Sequence, residues 1–356
     1  MSTANISNLS IQTSMRLTIR QAQNELIKAQ QEVTTGIYAD IGAEIGGATS
    51  TVVDLTRDSL RLQSIKSTNA IATQRLEASQ EALDQMATAA DEMNEALIAL
   101  SGTSNTSNLE TAIQTITNSL STFTSMANTS LGGEYLFSGI NTDVQPIQEY
   151  DDGSAAKASF DAAFVAHFGF TQTDPLTTGI TAADMEAFIT NKIEPMYSGT
   201  DPDPTVDRWT TDWSSATDEV MTSRISQSET VDTSASANDK AMRYLALAAV
   251  VAKELLTLDL SDASRTVVTN KAIEYTGVAT TGLNSVRTKL GLSENRIEKA
   301  NESLQVQIDI IDTTLTSKIE VDAYEASTRV NNLLSLVEAS YTLTAKIQAL
   351  SLVNYL

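Results

Sequence analysis

The sequence holds a single histidine, His167. One imidazole cannot build a multi-histidine metal site, and no nucleophile and orienting acid stand beside it to complete a triad. Asp201, Asp203 and Asp207 cluster around Pro202 and Pro204, and carboxylates in such a run are hard-cation ligands. A calcium loop also needs a glycine turn and a downstream glutamate at fixed spacing, and neither follows. Gly42, Gly46 and Gly47 lack the Lys-Ser/Thr ending of a phosphate loop. There is no cysteine, which removes disulfides, thiolate metal sites and thiol nucleophiles together. Carboxylate pairs recur throughout a chain with 45 acidic residues, so their spacing singles out no acid–base couple. The residues predict no catalytic group, no cofactor and no metal: a protein that is not an enzyme.

With chemistry set aside, composition bounds the rest. At 356 residues the chain has room for two or three domains, and 41% hydrophobic residues suffice for real cores. Aromatics make up only 5%, which fits thin helical layers of Leu, Ile, Val and Ala. Twenty-three basic against 45 acidic residues leave a net charge of −22. Such a chain repels nucleic-acid phosphates and anionic lipid headgroups, so neither nucleic acid nor membrane is expected as a partner. No apolar run reaches the 18 or so residues of a membrane span. Met1 to Gln30 is polar and lacks the apolar centre of a secretory signal, so any export is expected to proceed without a cleaved signal of the usual kind.

The elements are written in the periodicity. All five prolines, both tryptophans and the histidine fall between residues 141 and 237, and the flanks contain no proline. Since proline costs a helix interior roughly 3 kcal/mol, the flanks are free to be long helices. Met15, Ile19, Ala22, Leu26, Ala29 and Val33 alternate steps of four and three. Leu55, Leu62, Asn69, Leu76, Leu83, Ala90 and Leu97 step by seven, with Ile65, Ala72, Met86, Met93 and Leu100 at the partner position. Leu109, Ile113, Ile116, Leu120, Phe123 and Ala127 form a third stripe. Leu283, Leu290, Ile297, Leu304 and Ile311 step by seven again, joined by Ile308 and Leu315. Leu336, Leu343 and Leu350 repeat the step, with Leu333 and Ile347 beside them. A strict seven-residue repeat implies a supercoiled partner helix, and stripes at both ends predict that the two ends pair.

The predicted fold is therefore mainly α: long paired N- and C-terminal helices form a coiled-coil or helical bundle, with a central mixed α+β insert domain. Residues 36–47 read as a glycine-containing loop, 101–108 as a polar turn, 131–139 as a helix end leading into a short strand, and Asn238-Asp239 as a helix start. Phe160, Phe164, Phe168, Phe170 and the tryptophans are the expected core of the insert. The 141–237 segment has 17 acidic and 4 basic residues, a net of −13, and reads as a solvated domain facing outward. The terminal helices are rich in Thr, Asn, Gln and Ser and marginal alone, so they are expected to order on assembly. Met15, Ile19, Leu26 and Val33 with Leu336, Leu343, Ile347 and Leu350 are the predicted assembly interface.

Some stretches have the look of a known family. Asn128-Thr129 followed by Gly133-Glu134-Tyr135-Leu136-Phe137-Ser138-Gly139-Ile140-Asn141-Thr142 resembles the signature that closes the N-terminal helical region of flagellar hook-filament junction proteins. These proteins, also called hook-associated protein 3, belong to the flagellin superfamily. Glu32-Val33-Thr34-Thr35-Gly36, Glu338-Ala339-Ser340-Tyr341 and the closing Leu350 to Leu356 are similar to the same family's terminal helices. One departure stands out: Ala39 to Gly47 reads ADIGAEIGG where many members carry Asp-Asp-Pro or Asp-Asp-Ala.

The resemblance implies an axial protein of three parts. Residues 1–38 with 318–356 would form the inner terminal helical domain, 39–140 with 238–317 the helical bundle, and 141–237 the outward acidic insert. It implies a homo-oligomeric ring between hook-associated protein 1 and the flagellin filament, export unfolded through the flagellar type III apparatus, and a cytoplasmic chaperone on the C-terminal helix. The location implied is extracellular, in the flagellum. A filament flagellin and a secreted coiled-coil adhesin displaying an acidic domain are the alternative readings.

Overall fold

A computed structural model of the chain describes residues 8–101, 106–200 and 207–353. Along it run α1 (Asn8–Thr35), α2 (Ile41–Ile45), α3 (Thr49–Ser101), α4 (Thr106–Ala127), β1 (Ser130–Leu131) and β2 (Glu134–Tyr135). There follow α5 (Ala155–Phe168), α6 (Ala182–Phe188), α7 (Glu194–Ser198), α8 (Arg208–Asp212), β3 (Thr222–Arg224) and β4 (Thr230–Asp232). The chain closes with α9 (Lys240–Leu256), α10 (Asp262–Ile319) and α11 (Ala323–Val353). The fold is mainly α, with long helices at both ends and two small antiparallel hairpins, β1-β2 and β3-β4. It divides into two compact units, Ile65–Ser303 and Met1–Ser64 with Leu304–Leu356, and the division falls inside α3 and α10.

The glycines predict a loop over 36–47, and the structure corrects this. The Asp40 carboxylate accepts the Ala43 N–H at 3.1 Å and starts α2, and Gly46–Ala48 continues as a 3-10 turn. A good N-cap, worth about 1 kcal/mol, offsets the helix cost of one glycine. The polar stretch 102–105 and the aspartates at 201 and 203 lie outside the described residues.

In the 65–303 unit the sevenfold stripes become the core. Leu76, Leu83, Met86, Met93 and Leu97 of α3 and Leu283, Leu290 and Ile297 of α10 are buried. Helix α9 is almost wholly buried, with Lys240, Arg243 and Lys253 its residues that reach solvent, so it serves as a central helix. Its start is capped by Asp239, which accepts the Ala241 N–H at 2.9 Å. Helix α4 packs along it. Threonines return their hydroxyls to carbonyls one turn back, as Thr73 does to Asn69 and Thr276 to Ala272, which lets a Thr-rich sequence stay helical.

The 141–237 segment is built around its aromatics. Phe164 meets Phe188 edge to face at 5.5 Å, with Phe168 and Phe170 beside it. Tyr150, Trp213 and Trp209 form a parallel stack, with centroids 5.3 and 5.6 Å apart. Two cations from α9 close its ends: the Lys253 Nζ lies 4.9 Å from the Tyr150 ring and the Arg243 guanidinium 5.6 Å from Trp209. The Glu194 carboxylate accepts both the Tyr244 hydroxyl at 3.0 Å and the Tyr275 hydroxyl at 2.9 Å. Burial is the main force raising the Tyr244 phenol to about 12, and the Glu194 charge adds to it; Tyr275 is raised by the same two causes. Lys157 of α5 pairs with Asp161 and with the nearly buried Glu254 of α9, at 3.3 Å from the latter. Burial alone would pull the Lys157 ammonium down, but the two carboxylates outweigh it and raise its pKa. The segment is thus bound to α9 and α10 by polar groups taken out of water.

Candidate functional site

The His167 ring is half-buried and packs edge-on against Phe168 at 4.6 Å, with Phe188 at 5.4 Å. Among the described residues no three His, Asp or Glu side chains gather as a metal cluster. No described helix is long and apolar enough to cross a membrane.

The features that stand out are at the chain's ends. Helices α1 and α11 pack along each other. Their seam is made of small residues: Ala22, Ala29 and Ala326 are buried, with Val337 beside them. Met15, Ile19 and Leu26 are half-buried at its margin, and Gln23 donates to the Tyr341 hydroxyl at 2.7 Å. Val33 is 43% exposed, Leu336 47% and Leu343 50%. Ile347 and Leu350 lie in the last turns of α11, where only the backbone is described.

Two stripes therefore run side by side on α11. Val330, Val337 and Thr344 step by seven through the seam, while Leu336 and Leu343, one residue back, step by seven toward solvent. One residue is about 100° of helix rotation, so the leucine stripe cannot face the seam while Val337 does. Leu17 and Ile27 stand exposed on α1, and Tyr324 on the first turn of α11 is almost fully so. A shallow groove of about 500 Å³ runs past Tyr324, Thr328, Asn332, Leu333 and Leu336. Alanine seams bury little area, so this pairing gains much less from apolar burial than a leucine zipper of the same length.

The stretch Gly133 to Thr142 has a structural role. Leu136 and Phe137 enter the core. The Phe137 and Ser138 carbonyls accept the Ala237 and Thr217 N–H groups, tying the two ends of the 141–237 segment together. Gly139 has φ +72°, and a Cβ there would lie 2.5 Å from the Thr217 carbonyl oxygen. Only glycine fits such an approach. Arg75, buried on α3, donates to Glu134 at 2.9 Å and to the Tyr135 carbonyl at 2.8 Å, holding the β1-β2 hairpin. Sequence reasoning missed Arg75, because nothing local to position 75 tells that its partner lies 59 residues on.

Helical arms joined at the two chain ends, with leucines turned outward, define a mainly helical protein with paired terminal helices. The bacterial flagellin N-terminal helical region matches residues 6–142, and the bacterial flagellin C-terminal helical region matches residues 273–356. The chain belongs to the flagellin family and is a structural protein of the bacterial flagellum. No curated protein sequence matches it. Among solved structures, a protein assigned as flagellar hook-associated from Vibrio parahaemolyticus is similar at a TM-score of 0.52 and 11% identity. The likeness covers 76% of this chain and 97% of that one, and at such identity it is a likeness of fold.

Proposed function

We propose that this protein is a subunit of the hook-filament junction, a homo-oligomeric ring seated between hook-associated protein 1 and the first flagellin subunits. The observation that carries an assembly role is the leucine stripe that α11 turns outward while α1 and α11 meet through alanines. Charge supports it. Asn8–Thr35 has three basic and two acidic residues and Ala323–Val353 has two of each, in a chain of net −22. Copies that repel each other elsewhere meet without net repulsion along these helices. Met15, Ile19, Leu26, Val33, Leu336, Leu343, Ile347 and Leu350 are the proposed assembly residues. A pair so lightly sealed is marginally stable in the single chain and gains most of its burial from neighbours, so docking completes its ordering.

The Gly133 to Thr142 stretch, with its resemblance to junction proteins, favours the junction over the filament. The same reading includes export without a cleaved signal through the flagellar type III apparatus, a chaperone covering α11 before export, and an extracellular final location. Deleting the gene tests it: hooks should remain intact while unpolymerised flagellin leaks into the medium. Normal filaments in the deletion strain would end the junction reading. The match of both ends to flagellin supports a second reading, a filament flagellin, which predicts that this chain dominates sheared flagella instead of forming a trace band.

A further inference from the structure

The two long helical directions break at one level, α1 ending before Gly36 and α10 ending at Ile319. The breaks are stitched by a short antiparallel crosspiece. Tyr38 donates its N–H to the Ile319 carbonyl and Val321 to the Gly36 carbonyl, each at 3.0 Å, around a bridge between Ile37 and Glu320. Just beside it lies Glu32, a carboxylate only 5% exposed on the last turns of α1. One of its oxygens accepts the Ala39 N–H at 3.2 Å, from the chain just past the break. The other accepts from the Arg329 guanidinium at 3.3 Å, from the second turn of α11. Arg329 in turn reaches Glu325 at 3.4 Å, so the guanidinium is shared within α11.

We propose that Glu32 is a latch: a positioning residue that clamps α1, the turn that follows it and α11 into one arm. The need for such a group follows from the seam. Small residues such as Ala22 and Ala29 pack equally well when one helix slides along the other, because their side chains offer no knob that a neighbour must accommodate. An ion pair to one guanidinium and a hydrogen bond to one amide admit a single alignment. The latch therefore sets how the two helices align and how often the arm opens. Its purpose rests on the assembly reading above, since an arm held in one alignment presents Leu336 and Leu343 at fixed places.

The test is hydrogen exchange on the full-length monomer. Glu32→Ala and Arg329→Ala should each lower the protection of α1 and α11 amides about tenfold and leave α9 unchanged. Because the two act through each other, the double variant should lose no more than either single one. Glu32→Gln keeps an acceptor for Ala39 and should fall between Glu32→Ala and the parent. Unchanged protection in the single variants overturns the latch. So do losses that multiply in the double variant, or parent α1 and α11 amides that exchange as an unfolded chain does. Failure here leaves the junction reading standing, since that reading is decided by the deletion strain.

Discussion

Asn69 and Asn301 meet side chain to side chain between α3 and α10, Nδ2 to Oδ1 at 2.7 Å, in stripes whose buried positions are mostly apolar. Asn69 is fully buried, and the same amide nitrogen donates to the Ile225 carbonyl at 3.0 Å. One polar layer in an apolar seam costs stability and admits one pairing. Asn69→Leu should destabilise by roughly 1–3 kcal/mol, because it strands the Asn301 amide and the Ile225 carbonyl. Adding Asn301→Leu should recover part of that loss, since only the Ile225 carbonyl then stays without its donor. Chemical denaturation of the two variants measures both steps, and a double variant no better than the single one would refute the account.

Gly139→Ala should be among the most damaging small substitutions in the chain. It asks for a left-handed backbone and for space that Thr217 already fills, together about 3 kcal/mol or more. The loss should appear in thermal unfolding and in early protease cleavage of the 141–237 segment.

Arg243 holds the 141–237 segment by three means: its Trp209 face, its ion pair with Asp207 at 3.2 Å, and its hydrogen bond to the Tyr197 carbonyl at 3.4 Å. Arg243→Ala should cost about 2–4 kcal/mol, and Arg243→Lys should not restore it, since an ammonium cannot serve the ring and both oxygens at once. Tryptophan emission during unfolding follows the stack directly.

Alkaline pH should unfold the protein from the tyrosine side. Tyr244 and Tyr275 have folded-state pKa values raised above the unfolded value near 10, with Tyr244 at about 12. Above pH 10 the unfolded chain releases phenol protons that the folded chain keeps, so stability is whole below about 10 and falls as pH rises through 12. Lys157, also raised, acts in the same direction. Melting temperatures across this range, read beside tyrosinate absorbance, check the sign; a rise in stability above pH 10 would contradict it.

The exposed stripe and the seam should respond oppositely. Leu343→Asp should leave monomer stability within about 0.5 kcal/mol, since the side chain is half in water already, yet abolish ring incorporation. Ala29→Leu should disturb the α1–α11 pairing itself by about 1–3 kcal/mol, because no space waits for a larger side chain. Deleting residues 327–356 should leave the 65–303 unit folded and abolish incorporation; normal motility from that truncation would remove the assembly role.

Much of the helical body was legible because heptad spacing is a one-dimensional record of which face is buried. Leu76, Leu83, Leu97, Leu283 and Leu290 needed no partner to be recognised. The proline-free flanks and the aromatic middle were legible for the same reason: composition acts locally. Sequence spacing also carried the absence of paired histidines and cysteines, hence the expectation of a non-enzyme. It could not tell which of two adjacent stripes on α11 would be sealed. Leu336 and Val337 are one residue apart, and only a neighbouring helix decides between them; the alanines of α1 choose Val337 and leave the leucines in water. Nor could it find Glu32 with Arg329 or Asn69 with Asn301, pairs separated by 297 and 232 residues. Periodicity states that a face is buried, but a polar partner is fixed only when the tertiary fold brings two distant turns within reach of one hydrogen bond.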